Sequence, residues 1–357
     1  MNFEHNGPPP RPSREAPFTR WNGEPPRWRR LFRLGLTTKL LFIVSAVIFL
    51  AERWDDGAQS KATNVLGTHP GEVTTLSFSP GGRRLASGGY DSPVVIWDMA
   101  QRRIDRELKG GPAQTLSLAF APDGSALAVA GLDGTVRAWD SATWGMGQVV
   151  RADPRGVLSL AFSPDGRLLA TAGADGTVRL WDPATWQERG VLRGHQGPVR
   201  SVVFSPKSAR LASAGTDGQV RVWSLDGGAT SLRIGPGPPG QGREMRCLAF
   251  SPDGRLLAIS RLFGPITLCD TRVGRTVAIL AGLHSPVLSV AFSRDGRTLA
   301  AGTIAGGIEL WDVASARRKS ILHGHGQSVW ALAFSPDGRS LVSSGCDSEL
   351  RQWELTL

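Results

Sequence analysis

Apolar and polar positions alternate along this chain in short bursts, and the bursts recur. A Phe returns as Phe78, Phe120, Phe162, Phe204, Phe250, Phe292 and Phe334. Two residues before each stands Leu76, Leu118, Leu160, Val202, Leu248, Val290 or Leu332. This period-two pattern predicts a strand with one buried face. A turn follows, clearest as Ser163-Pro164-Asp165-Gly166, Ser251-Pro252-Asp253-Gly254 and Ser335-Pro336-Asp337-Gly338. Pro presets one dihedral and Gly accepts positive φ, so the chain reverses. A second strand carries Leu85, Leu127, Leu169, Leu211, Leu257, Leu299 or Leu341, each seven residues after its Phe. A third strand ends at Trp97, Trp139, Trp181, Trp223, Cys269, Trp311 or Trp353, and a fourth, less regular strand leads onward.

Those last seven positions are spaced by 42, 42, 42, 46, 42 and 42 residues. A self-similar period of this length means four short strands per repeat, stacked around an axis. The fold class is therefore all-β, a seven-bladed β-propeller. Asp follows the Trp-type residue five times, as Asp98, Asp140, Asp182, Asp270 and Asp312. These residues resemble the WD-repeat (WD40) propeller family over about 295 of the 357 residues. The resemblance implies a buried tetrad of His, Ser or Thr, Asp and Trp within a blade. The full set occurs three times: His69, Ser87, Asp91, Trp97; His195, Ser213, Asp217, Trp223; and His325, Ser343, Asp347, Trp353. A buried Asp is costly unless hydrogen-bonded, so a chain of partners around it is expected on physical grounds too. Blades two and three carry Gly111 and Asp153 in place of the His, and blade five departs most. There Phe263 replaces the turn Asp, Cys269 replaces Trp, and Pro265 falls where a ladder strand should run.

Val65-Leu66-Gly67-Thr68-His69 aligns with Val191-Leu192-Arg193-Gly194-His195, a fourth strand leading into a first. Residues near 61–66 are therefore expected to close the ring against the third strand of blade seven, making 61–357 one propeller domain. Residues 1–33 are rich in Pro, hold seven Arg against three Glu, and read as a disordered basic tail. Residues 34–51 turn apolar and as a helix would span about 27 Å, enough for a hydrocarbon core. Arg27, Arg29, Arg30 and Arg33 precede this stretch, while Glu52, Asp55 and Asp56 follow it in the linker 52–60. The positive-inside rule then gives a signal anchor in the cytoplasmic membrane, with the tail inside and the propeller outside. The competing readings are a cleaved signal peptide, which also exports the propeller, and an interfacial helix. Usage of 36 Arg against 5 Lys points to a GC-rich, bacterial genome.

Net charge is +10, of which the propeller holds +7 (32 basic, 25 acidic). That is modest for a nucleic-acid binder, so nucleic acid is not the expected partner. Three cysteines with no CxxC give neither a zinc site nor a disulfide framework, and no metal or cofactor is expected. Gly235-Pro236-Gly237-Pro238-Pro239-Gly240 matches a phosphate-loop string, but its prolines remove backbone donors, so it reads as a loop between blades four and five. The Ser, His and Asp sets recur beside Trp in three blades, which structural bonding explains and a single hydrolase site does not.

In the resembled family, positions four residues before each Phe and just before the tetrad Asp point to the top face and contact partners. Here the first set is Thr74, Leu116, Leu158, Arg200, Arg246, Leu288 and Trp330, and the second includes Tyr90, Leu132 and Cys346. The expected function is a non-enzymatic scaffold that binds a protein or peptide there. Rival readings are a polyanion-binding propeller and an enzyme with a funnel active site. On the bottom face, Arg83, Arg167, Arg255, Arg297 and Arg339 follow the turns and could meet anionic lipid headgroups, or could be solvated turn residues.

Overall fold

The structure is a computed structural model that describes residues 64–225, 231–234 and 244–355. The basic tail, the apolar segment 34–51, the linker 52–60, residues 61–63 and the Gly/Pro stretch at 235–243 lie outside the described residues. Among the described residues no helix is long and apolar enough to cross a membrane.

The described strands form seven four-stranded antiparallel sheets. Their inner strands are Val73–Phe78, Thr115–Phe120, Val157–Phe162, Val199–Phe204, Met245–Phe250, Val287–Phe292 and Val329–Phe334. Each inner strand packs beside the next, and the last returns to the first, so the ring is closed around a central channel. In every blade the Leu seven residues after the Phe is the cross-strand partner of the Trp-type residue: Leu85 with Trp97, Leu127 with Trp139, and so on to Leu341 with Trp353. These Leu side chains are fully buried. The core lies between blades: Val94, Ile96 and Leu108 of blade one pack on Leu118, Leu127 and Trp139 of blade two.

Blade seven takes its outer strand from the other end of the propeller. Asn64–Thr68 pairs antiparallel with Glu349–Glu354, matching Asn64 to Gln352 and Thr68 to Glu349. Leu66 then enters a cluster holding Val342 and Leu350 of blade seven together with Leu85, Val95 and Trp97 of blade one.

Adjacent inner strands are also stitched, at four of the seven junctions, by hydroxyls three residues before the Phe. Thr75, Ser117, Ser159 and Ser201 accept the backbone N–H of Leu118, Leu160, Val202 and Leu248 at 3.1–3.2 Å. Each bond crosses from one blade to the next, at a buried or half-buried position where an unmade hydrogen bond is expensive.

Two tetrads form completely. In blade four the Trp223 indole donates to Ser213 Oγ at 2.8 Å, which lies 2.8 Å from His195 Nε2. His195 Nδ1 sits 3.1 Å from both oxygens of Asp217, which also accepts the amides of Gln196 and Gln219. Burial holds His195 below its ordinary value, so the neutral ring donates from Nδ1 and accepts at Nε2. Blade seven repeats this with Trp353, Ser343, His325 and Asp347.

The third set corrects the expectation. Trp97 does donate to Ser87 at 2.8 Å, but Asp91 is exposed and His69 Nε2 is buried without a hydrogen-bond partner. The cause is local. In blades four and seven the residue after the Asp, Gly218 or Ser348, takes the left-handed conformation and turns the carboxylate inward. In blade one that residue is Ser92, which precedes Pro93 and does not take the left-handed conformation. The left-handed residue becomes Asp91 itself, with φ 49°, and its side chain faces solvent.

Blade three replaces the His with Asp153, which is 1% exposed. Arg179 lies 2.7 Å from Asp175 and 3.5 Å from Asp153 and binds the two carboxylates together. In blade five, Pro265 stands just before the third strand, Ile266–Asp270, rather than inside a ladder, and so costs no sheet hydrogen bond. The same blade holds Cys269 and Ile259 in one buried apolar cluster, where blades one, four and seven have a Trp bonded to a Ser. With no indole N–H to satisfy, an apolar Ile fills the hydroxyl's place at no polar cost.

Candidate functional site

All seven inner strands carry a β-bulge at the same place. Val73 pairs with Gly89 and Thr75 with Gly88, which leaves Thr74 without a partner. The same shift leaves out Leu116, Leu158, Arg200, Arg246, Leu288 and Trp330. A bulge turns its extra residue out of the ladder. These are the residues four before each Phe, and the bulge is the physical reason they ring the channel mouth. Close backbone approach accompanies it: a Cβ at Gly345 would stand 1.9 Å from the Ser328 carbonyl oxygen.

Blades one, four, five and seven converge at this mouth. Trp330 is half-buried, and its indole N–H points to Cys346 Sγ at 2.7 Å. The Arg246 guanidinium, from blade five, lies 4.9 Å from the Trp330 ring centre. Arg200 Nε stands 3.3 Å from Glu244 Oε1. Tyr90 completes the group. Burial raises its phenol above the ordinary value, and the charges of Arg246 and Arg200 oppose that rise. Burial also pushes the Cys346 thiol up to about 11, so it is a neutral thiol rather than a nucleophile. Burial lowers the Arg246 guanidinium, and the like charge of Arg200 lowers it further.

Leu116, Leu132 and Leu158 are half-buried on blades two and three, with Leu158's inner strand next to that of Arg200. Leu288 does not fit the expected surface: it is 7% exposed and is not open to a partner. Blade six stands between blades five and seven, so the contact between Arg246 and Trp330 spans the inner strand that carries Leu288. Among the described residues no group of His, Cys, Asp and Glu is arranged to hold a metal ion.

On the opposite face, Arg83, Arg167, Arg255, Arg297 and Arg339 are all exposed. The last four follow turns in which the Asp side chain accepts the Arg backbone N–H and the Ser hydroxyl. That hydroxyl bond, first among the causes, holds Asp165, Asp253, Asp295 and Asp337 below the ordinary carboxylate value.

Residues 114–357, blades two to seven, match the family described as IFT122 first beta-propeller. The chain belongs to this β-propeller family. Blade one adds a match of its own, residues 60–98, to the WD domain, G-beta repeat. As a WD-repeat propeller the chain has a protein-interaction scaffold fold, of a kind typically without enzymatic activity. It is 42% identical over 48 residues to nuclear distribution protein PAC1-1 of Uncinocarpus reesii, covering 13% of this chain and 11% of that one. It is 39% identical over 51 residues to small ribosomal subunit protein RACK1 of Medicago sativa, covering 14% and 16%. RACK1 of Glycine max matches to the same extent. The WD-repeat propeller thus aligns with less than a fifth of the length of these relatives, about one blade each.

The hydroxyls that stitch the blades, and the contact between Arg246 and Trp330, were not read from the sequence. The first had a signal, since Thr75, Ser117, Ser159, Ser201 and Ser289 all stand three before a Phe. The second had none, because it joins blades that are neighbours neither in sequence nor in the ring.

Proposed function

We propose that this chain is a non-enzymatic scaffold that binds a protein or peptide partner at the channel mouth. In this reading residues 34–51 anchor it in the cytoplasmic membrane, with the propeller on the outer side. The observation that carries the binding reading is the half-buried Trp330, set in a bulge under the Arg246 guanidinium and beside Tyr90. Large aromatics beside a cation are typical of residues that dominate interface energy. Nothing is carried over from the ribosomal or nuclear-distribution relatives, whose matched share is about one repeat.

The test is a pull-down with the full chain, repeated with Trp330→Ala and Tyr90→Ala. Each substitution is expected to weaken partner binding by about 1–3 kcal/mol while leaving the melting temperature nearly unchanged. Arg83→Ala combined with Arg339→Ala, on the other face, should leave that binding intact and reduce association of residues 60–357 with anionic vesicles. Partner loss from the Arg variant, with the Trp330 and Tyr90 variants silent, would reverse the assignment of faces.

Orientation has its own measurement. Alkaline phosphatase fused after Leu357 is expected to be active in a bacterial host, because the enzyme matures only where disulfides form. An inactive fusion, with a cytoplasm-only fluorescent reporter lit at the same site, would overturn the orientation. Fractionation of the active fusion into membrane or medium separates an anchor from a cleaved signal.

A further inference from the structure

Arg246 differs in its surroundings from the half-buried arginines that hold carboxylates. Arg200 has Glu244, Arg179 has Asp153 and Asp175, and Arg137 has Asp133. Among the described residues Arg246 has no carboxylate or carbonyl within bonding distance, and its one close contact is the face of Trp330 at 4.9 Å. A guanidinium carries five N–H donors in a rigid fork, and on this half-buried side chain they are open to a ligand. The bulge after Met245 turns it into the channel mouth, where Arg200, itself paired with Glu244, also acts on it. Such an arrangement is completed by an anion that arrives with the ligand.

We infer that Arg246, backed by Trp330 and flanked by Tyr90 and Arg200, is the receptor for a carboxylate side chain on a short peptide segment of the partner. This rests on the channel mouth being the partner-binding site. A carboxylate matches one guanidinium with two parallel hydrogen bonds. A dianionic phosphate fits the site less well, because Glu244 and Glu72 lie close enough to act on Arg246 and Tyr90. Toward blades two and three the mouth presents Leu116, Leu132 and Leu158, apolar and half-buried. The recognised segment therefore carries an Asp or Glu next to a bulky apolar residue, the acid toward blade five and the apolar group toward blades two and three.

The test selects a random-peptide phage library on the full chain. One enriched peptide is then titrated calorimetrically, alongside a version with its acid changed to the isosteric amide. The expected result is a shared acidic position beside an apolar one. The amide version should bind the wild-type protein about tenfold or more weakly. For Arg246→Gln the two peptides should bind alike, and Arg246→Lys should fall between, having charge without the fork. Melting temperatures of both variants check that the fold is kept, and the lysine variant preserves the test if the glutamine variant unfolds. Peptides that need Trp330 and Tyr90 but show no acidic preference would overturn the carboxylate and leave the channel-mouth site standing. A phosphoserine version binding more tightly than the acid would also overturn it. If no enriched peptide loses affinity with Trp330→Ala, both the receptor and the binding site are wrong.

Discussion

A chain from which Asn64–Thr68 has been removed is expected to lose its cooperative thermal transition or to aggregate. The strand does two jobs. It pairs with Glu349–Glu354, the third strand of blade seven, and it places Leu66 between blades seven and one. Without it, the edge of Glu349–Glu354 is left open to other chains, the usual start of edge-to-edge association. Val95, Trp97, Val342 and Leu350 lose a neighbour in a cluster with no other side chain to replace it. Leu66→Ala alone should cost about 2–4 kcal/mol, by the range for buried large-to-small changes. The full deletion adds the lost ladder, which together is a large part of the roughly 5–15 kcal/mol that holds a domain folded. The measurement is differential scanning calorimetry with size-exclusion chromatography. An internal deletion that melts like the intact chain would show that the ring closes some other way.

The second large effect separates tetrads that form from the one that does not. Asp217→Ala strands three donors: the amides of Gln196 and Gln219 and the imidazole N–H of His195. Asp347→Ala does the same to Gly326, Glu349 and His325. Each change is expected to cost about 2–4 kcal/mol. Asp91→Ala, in an exposed turn, should cost about 1 kcal/mol or less, from its left-handed backbone alone, although the sequence pattern gives it the same rank. Urea unfolding of the three variants decides it, and equal losses would refute the geometry of blade one.

The pH dependence has a worked sign. Burial alone would raise Asp217 and Asp347, but their amide and imidazole donors outweigh it and hold both below the ordinary carboxylate value. Their contribution is present above that ordinary value and is lost as pH falls through the lowered ones. His195 is also held low, by burial, so the unfolded chain takes up its proton first and stability falls as pH drops below about 6.5. Asp153 opposes them. Burial raises it, so the folded chain takes up a proton that the unfolded chain does not, and stability rises as pH falls through that window. In Asp217→Ala the acid-side loss of stability should be shallower than in the unsubstituted chain.

Blade number and strand register were legible because Leu85 and its six counterparts meet Trp97 and its counterparts in every repeat. Period carries that information without any side-chain geometry. The residues at the channel mouth were legible as positions, since the spacing to each Phe is constant, yet the bulge that presents them leaves no mark on hydrophobic alternation. Asp91 was misread because a pattern compares residue types, whereas the outcome turned on Pro93 two residues later. Leu288 was misread because its exposure depends on what blades five and seven place above it. Cys269 departs from the repeat by residue type, yet its cluster neighbour Ile259 is apolar where blades one, four and seven bond the indole to a hydroxyl.

The two strands that close the ring are far apart in the order of synthesis. Thr68 pairs with Glu349, 281 residues later by subtraction. At the roughly 5–20 residues per second of translation, the first partner waits about 15–60 s for the second. During that time every intermediate blade can complete itself, because each supplies its own outer strand. In blade one, the nearest unpaired third strand to emerge, Val94–Asp98, is taken by its own outer strand, Arg103–Leu108, only a few residues later. The propeller is thus built as a queue of self-sufficient sheets, and its final pairing reports that all seven blades have been made.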